Sequence, residues 1–265
     1  MSADAALLET TDLSVRYDGL LAVNAVDLSV RAGEVVGLIG PNGAGKTTFV
    51  DAVTGFTRAE GRVRFDGREI NRLSPHRRAR LGLARTWQSV ELFGELSVLE
   101  NALVASRSMS WRSVLADIVH PERSKPDDAA RAALQLAGIE SLAARNPHEL
   151  PLGQQKLVGI ARALASQPRL VMLDEPAAGL DTDESRTLGS RLRSVADSGI
   201  GLLLIDHDMD LLFQTCDRVY VLDLGRVIAH GPPAEVRGDQ AVISAYLGSG
   251  TPASPSTAGT NGSQP

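Results

Sequence analysis

The stretch Gly40-Pro41-Asn42-Gly43-Ala44-Gly45-Lys46-Thr47-Thr48 decides the fold. Before it, Val35-Val36-Gly37-Leu38-Ile39 reads as a short buried strand; after Lys46 a helix is expected to run to about Thr54 and stop at Gly55. A strand, a G-x-x-x-x-G-K-T loop and a helix in that order form a phosphate-binding device. The glycines let the backbone curl so that its N–H groups face an anion, and the helix adds its positive N-terminal end. Lys46 is expected to reach the β- and γ-phosphates of a nucleoside triphosphate, and the Thr47 hydroxyl to hold Mg²⁺.

Working outward, residues 7–17 and 23–30 read as two strands around a turn at Asp18-Gly19. The second alternates, with Val26, Leu28 and Val30 on one face and Asp27 and Ser29 on the other. A further strand, Gly61 to Phe65, closes on Asp66-Gly67. Tyr17 at the edge of this layer is either an ordinary strand aromatic or a flat ring on which a base could stack. From about Ser74 to Leu150 the pattern turns helical, with Ala- and Leu-rich stretches at 98–107 and 127–138 and a break at Pro121 and Pro126. Arg77, Arg78 and Arg80 are expected to lie on a solvated helix face.

Two more apolar runs then appear. Leu170-Val171-Met172-Leu173 ends at Asp174-Glu175, and Leu202-Leu203-Leu204-Ile205 ends at Asp206-His207. Both read as strands buried on two faces, joined by a helix from Thr182 to Ser198 that stops at Gly199. Three strands thus deliver the phosphate loop, the Asp-Glu pair and a histidine at their C-terminal ends, the ligand-binding edge of a parallel α/β sheet. Asp174 is the expected second Mg²⁺ ligand, Glu175 the group that orients or deprotonates the attacking water, and His207 a neutral donor to the γ-phosphate. Residues 219–222 and 226–230 form a closing hairpin, and 248–265 has the composition of a disordered tail.

Composition narrows the class. With 265 residues, 43% of them hydrophobic, the chain can bury one sizeable core, and a net charge of −5 argues against a general nucleic-acid binder. Cys216 is the single cysteine and reads as a small buried hydrophobe, in keeping with a reducing cytoplasm. The start, Met1-Ser2-Ala3-Asp4, lacks the marks of a signal peptide, and no apolar run reaches the roughly 18 residues of a membrane span. Any work at a membrane is therefore expected to go through a partner.

The order of Gly40–Thr48, Gln88, Leu150-Pro151-Leu152-Gly153-Gln154-Gln155, Leu170–Glu175, Ala178-Gly179-Leu180-Asp181 and His207 resembles an ATP-binding cassette (ABC) ATPase subunit over nearly the whole chain except the tail. The resemblance implies an α/β fold: a P-loop NTPase core of mainly parallel sheet (1–75 and 151–247) with an N-terminal antiparallel β layer and an inserted α-helical subdomain (about 76–150). It gives Tyr17 the adenine-stacking position and Gln88 the loop that senses Mg²⁺, water and the membrane partner. Asp181 takes the link between the two sites of a dimer, and Gly153 and Gln154 belong to the signature that contacts ATP on the opposite subunit. Arg85-Thr86-Trp87-Gln88, Glu91-Leu92-Phe93, Leu99-Glu100-Asn101, His207-Asp208-Met209 and Ile243–Gly248 resemble more closely the ATPases of branched-chain amino-acid importers, a group whose features urea and amide importers share. That group implies ATP and Mg²⁺ as cofactors, and as partners a second, non-identical ATPase with an intact signature, two membrane permeases and, indirectly, a solute-binding protein. The chain would then sit at the cytoplasmic face of the membrane. A lipid or lipopolysaccharide system, or a soluble non-transport cassette, is the alternative. The departure is in the signature, where Pro151 replaces the usual serine and Leu152 the first glycine.

Overall fold

The computed structural model describes residues 5–86, 91–106 and 126–248. Gln88, Pro121 and the tail beyond Gly248 lie outside them. Two sheets form among the described residues. The first is antiparallel, in the order β2 (Leu20–Arg31), β1 (Ala6–Tyr17), β4 (Glu60–Phe65), β5 (Arg68–Glu69). The second runs β10 (Arg226–Gly231), β9 (Arg218–Asp223), β3 (Val35–Ile39), β8 (Gly201–Ile205), β7 (Leu170–Asp174), β6 (Leu83–Arg85). Its strands are parallel except for β10, which pairs antiparallel with β9 as a hairpin.

The three central strands are buried at every position, and their side chains alternate between two cores. Val36, Leu38, Leu170, Met172, Leu203 and Ile205 face the antiparallel sheet, with helix α1 (Lys46–Thr54) packed between through Phe49, Val50 and Val53. Val35, Ile39, Val171, Leu173, Leu202 and Leu204 face the opposite side. There they meet Leu157, Ile160 and Ala161 of a helix over Leu152–Ala165 and Leu188, Leu192 and Val195 of one over Thr182–Asp197. A period of two on strands covered on both faces requires apolar residues throughout.

The helix over Val98–Ser106 (α3) and that over Pro126–Leu136 (α4) pack on Leu152–Ala165 (α5). The short α2 (Pro75–Ala79) precedes β6, and α6 (Thr182–Asp197), α7 (Met209–Thr215), α8 (Pro233–Arg237) and α9 (Gln240–Gly248) complete the α-helices among the described residues. Two expectations need correction. Leu83-Ala84-Arg85 is not in the helical insertion: it pairs in register with Leu170-Val171-Met172 as the edge of the core sheet. The helices that follow β6, α3 and α4, pack on α5, which also packs on the core sheet through Leu157, Ile160 and Ala161. The arginine cluster is also not uniformly solvated. Arg77 and Arg80 are exposed, but Arg78 is only 4% exposed. Its guanidinium donates to the carbonyls of Ala52 (2.8 Å) and Val53 (2.6 Å) at the end of α1, and to those of Asn71 and Leu73 at 3.0 Å each. A cation there satisfies last-turn carbonyls that the helix leaves open.

Candidate active site

Because β3, β8 and β7 are adjacent and parallel, Gly40, His207 and Asp174-Glu175 emerge at one edge of the sheet. The phosphate loop is shaped by close approaches. A β-carbon on Gly40 (φ +152°) would lie 2.0 Å from the Leu222 carbonyl oxygen, and one on Gly45 (φ +101°) 2.3 Å from that of Ala22. The loop is therefore clamped between the antiparallel layer and the β9–β10 turn, where the Gly225 N–H donates to the Ala44 carbonyl at 3.0 Å. Pro41 is half-buried, and Asn42 and Gly43 face solvent. Lys46 folds back over the loop and donates to the Gly40 (2.7 Å) and Pro41 (3.0 Å) carbonyls. Burial lowers its pKa, while Glu175 and Asp174 oppose that shift by their charge. These groups therefore share one electrostatic site.

Asp174 is buried, and burial pushes its carboxyl pKa up against the opposing pull of Arg85. Arg85 Nη2 donates to Asp174 Oδ2 at 3.0 Å, and Nη1 makes an ion pair with Asp51 Oδ1 on α1. Glu175 follows in the left-handed region (φ 47°), which bends the chain sharply off the strand. Its N–H donates to the Ile205 carbonyl at 2.6 Å, and its own carbonyl accepts from Lys156 Nζ at 3.4 Å. Such backbone conformations on a bulky residue cost about 1–3 kcal/mol and cluster at functional sites. His207 is exposed, with Nδ1 3.5 Å from Asp206 Oδ1. The fully buried Asp206 organises the edge: Oδ1 accepts from the N–H groups of His207 (2.7 Å) and Asp208 (3.0 Å), and Oδ2 from that of Ala177 (2.9 Å).

Thr47 is exposed in the first turn of α1 and Thr48 half-buried beside it. A threonine hydroxyl and a carboxylate are hard oxygen donors that suit Mg²⁺ shared with phosphate oxygens. Among the described residues no cluster of three or more His, Cys, Asp or Glu could hold a metal unaided. Tyr17 is 45% exposed, its hydroxyl 3.0 Å from that of Thr57. Asp181 caps α6, its carboxylate accepting from the N–H groups of Asp183 (2.9 Å) and Glu184 (2.8 Å). Pro151 caps α5 without a side-chain bond, Leu152 packs against the turn at Gly179, and Gly153 and Gln154 lie half-buried in the first turn of the helix. The structure thus brings Lys46, Asp174, Glu175 and His207 to one edge.

The ABC transporter family pattern matches residues 23–178, which span the phosphate loop, the signature and Asp174-Glu175. The chain belongs to the ABC transporter ATPases. In this family the domain hydrolyses ATP, so the chain is an ATP-binding enzyme subunit. The pattern described as branched-chain amino acid ATP-binding cassette transporter matches residues 226–253. The BraF high-affinity branched-chain amino acid transport ATP-binding protein of Pseudomonas aeruginosa is 41% identical over 91% of this chain and 98% of its own length. LivG of Salmonella typhimurium, with the same description, is 39% identical over 91% and 98%. A weaker match, 36% identical over 92% and 98%, is the lipopolysaccharide export system ATP-binding protein LptB of Escherichia coli. Among solved structures, the ADP conformation of an ABC transporter cassette superposes with a TM-score of 0.81 at 30% identity, covering 92% of this chain and 99% of that one.

Three site residues escaped the motif reading. Sequence marks Arg85 only through the family resemblance, and it assigns no role to Lys156 or Asp206. Each has a partner on another element (Asp51 and Asp174 for Arg85, Glu175 for Lys156, Ala177 for Asp206), which no local pattern marks.

Proposed function

We propose that this ABC ATPase is one of two ATP-binding subunits powering an importer of branched-chain amino acids or a chemically related small solute. The observation that carries this is the match of residues 226–253 to the branched-chain transporter pattern. That segment includes β10, α8 and α9, outside the general ATPase match. The weaker likeness to a lipopolysaccharide exporter supports the second reading.

In the proposed site, backbone N–H groups of Gly40 to Thr48 and the Lys46 ammonium cradle the phosphates, and Tyr17 stacks on the adenine. Thr47, Asp174 and Gln88 would hold Mg²⁺, which would offset charge on the β- and γ-phosphates. Glu175 draws the proton from the attacking water, and His207 donates a hydrogen bond to the γ-phosphate. Gly153 and Gln154 at the open N-terminus of α5 meet ATP held by the partner ATPase, and Asp181 lies at the dimer contact. The chain is one cassette of core and helical group, peripheral to the cytoplasmic face of the membrane. No described helix is long and apolar enough to cross a membrane. A cleft of about 450 Å³ between α2, β6, α3 and α5, with Phe56 exposed at its rim, is where a permease would dock.

The test is affinity capture of the tagged chain from detergent-solubilised native membranes, with partners identified by mass spectrometry. A second ATPase with an intact signature, two permeases and a solute-binding protein are expected. Recovery of no membrane protein would remove the transport reading.

A further inference from the structure

We propose that Arg85 is a positioning residue for Mg²⁺, setting the distance between the phosphate-loop helix and Asp174. The inference rests on the nucleotide site proposed above. The Arg85 side chain is 7% exposed, and its two terminal nitrogens engage different elements: Nη1 binds Asp51 on α1, and Nη2 binds Asp174 Oδ2 at 3.0 Å at the end of β7. Helix α1 begins with Lys46 and Thr47, so the planar fork spans the two elements whose oxygens would share the metal. Strand β6 is itself fixed, because Arg85 pairs with Met172 and the Thr86 N–H donates to the Met172 carbonyl at 2.9 Å.

The charge balance points the same way. One guanidinium lies between the carboxylates of Asp51 and Asp174, so a single cation serves both acids. A lysine could supply the charge but cannot address both carboxylates in one plane. Arg85 and Asp174 also line the cleft that contains Phe56, Leu92 and Arg162. An object seated in that cleft would therefore touch the residue that sets the metal ligand.

The test uses the full-length chain as Arg85→Gln, Arg85→Lys, and Arg85→Gln combined with Asp174→Asn. Binding of a fluorescent ATP analogue (mant-ATP) is titrated in EDTA and across a Mg²⁺ series, with ATP turnover against Mg²⁺ alongside. For Arg85→Gln the Mg²⁺ concentration at half-maximal turnover should rise about tenfold, the scale of losing a charge-assisted hydrogen bond. Affinity for mant-ATP in EDTA should stay within about twofold of the parent, since the distance between α1 and Asp174 matters to the nucleotide only through a metal shared by both. Arg85→Lys should recover part of the shift, and the shift should vanish on the Asp174→Asn background. An unchanged Mg²⁺ requirement, equal weakening in EDTA and Mg²⁺, a tighter Mg²⁺ requirement, or a shift that persists with Asp174→Asn would each overturn the proposal. Should Arg85→Gln not fold, Asp51→Asn removes one arm alone, and an unaltered Mg²⁺ dependence there overturns it equally. A parent chain that binds no mant-ATP at all would instead overturn the nucleotide site itself.

Discussion

At the residue scale, the left-handed turn at Glu175 places a carboxylate just past the strand that ends in Asp174, and the role assigned to it predicts a specific phenotype. Glu175→Gln should lower turnover about 10²- to 10⁴-fold while ATP still binds. Nucleotide should then co-elute with a dimer in gel filtration; undiminished phosphate release would refute the assignment. Arg78 predicts a stability effect instead. Its guanidinium serves four carbonyls in a buried setting, so Arg78→Met should cost about 2–4 kcal/mol in urea denaturation with the slope unchanged. Cys216 is buried, and that burial, with Asp217 beside it, pushes its thiol pKa far up. A thiol whose folded pKa is raised stays protonated, and only the thiolate is alkylated. Iodoacetamide should therefore label the native chain slowly between about pH 7 and 9, and label it promptly in urea. Prompt native labelling would show that this packing opens.

At the element scale, helix α5 joins the Pro151-Leu152 turn to the Asp174-Glu175 edge. Its N-terminus carries no side-chain cap at Pro151, and Lys156 one turn on reaches the Glu175 carbonyl. Pro151→Ser should do two things at once. A serine cap should add about 1 kcal/mol to stability, and a hydroxyl for the partner's γ-phosphate should raise turnover of the assembled pair up to about tenfold. A gain in melting temperature without a gain in turnover would separate the cap from the signature. Local signals made the phosphate loop, β7, β8 and the Asp181-capped helix legible from sequence, because each carries its own start, stop and periodicity. Strand β6 was not legible: Leu83-Ala84-Arg85 is three residues long and sits between helical patterns. The buried Arg78 was hidden for a related reason. Its partners Ala52 and Val53 are backbone carbonyls on another helix, and no spacing rule identifies a carbonyl as a partner.

At the scale of the whole molecule, two cores flank one sheet, and the phosphate loop, Asp174-Glu175 and His207 leave that sheet at one edge. A chain with an intact phosphate loop but an altered signature suits an unequal pair of ATPases. The isolated chain would have to close on its own Pro151-Leu152 signature, so its turnover should be about 10- to 100-fold below that of the pair with a standard-signature partner, the scale of a lost hydrogen bond to a charged group. Equal rates for the isolated chain and the complex would argue against that asymmetry.

The clamp around the phosphate loop also has a consequence for synthesis. The loop leans on Ala22, made before it, but equally on Leu222 and Gly225, which are made about 180 residues after it. A nascent chain stalled before Leu222 carries all of Gly40–Thr48 and lacks half of its mould. Such a chain should fail to photo-crosslink an azido-ATP probe that the released protein captures. Only chains that already include Leu222 and Gly225 could then hold nucleotide and gain the stability that a bound ligand confers.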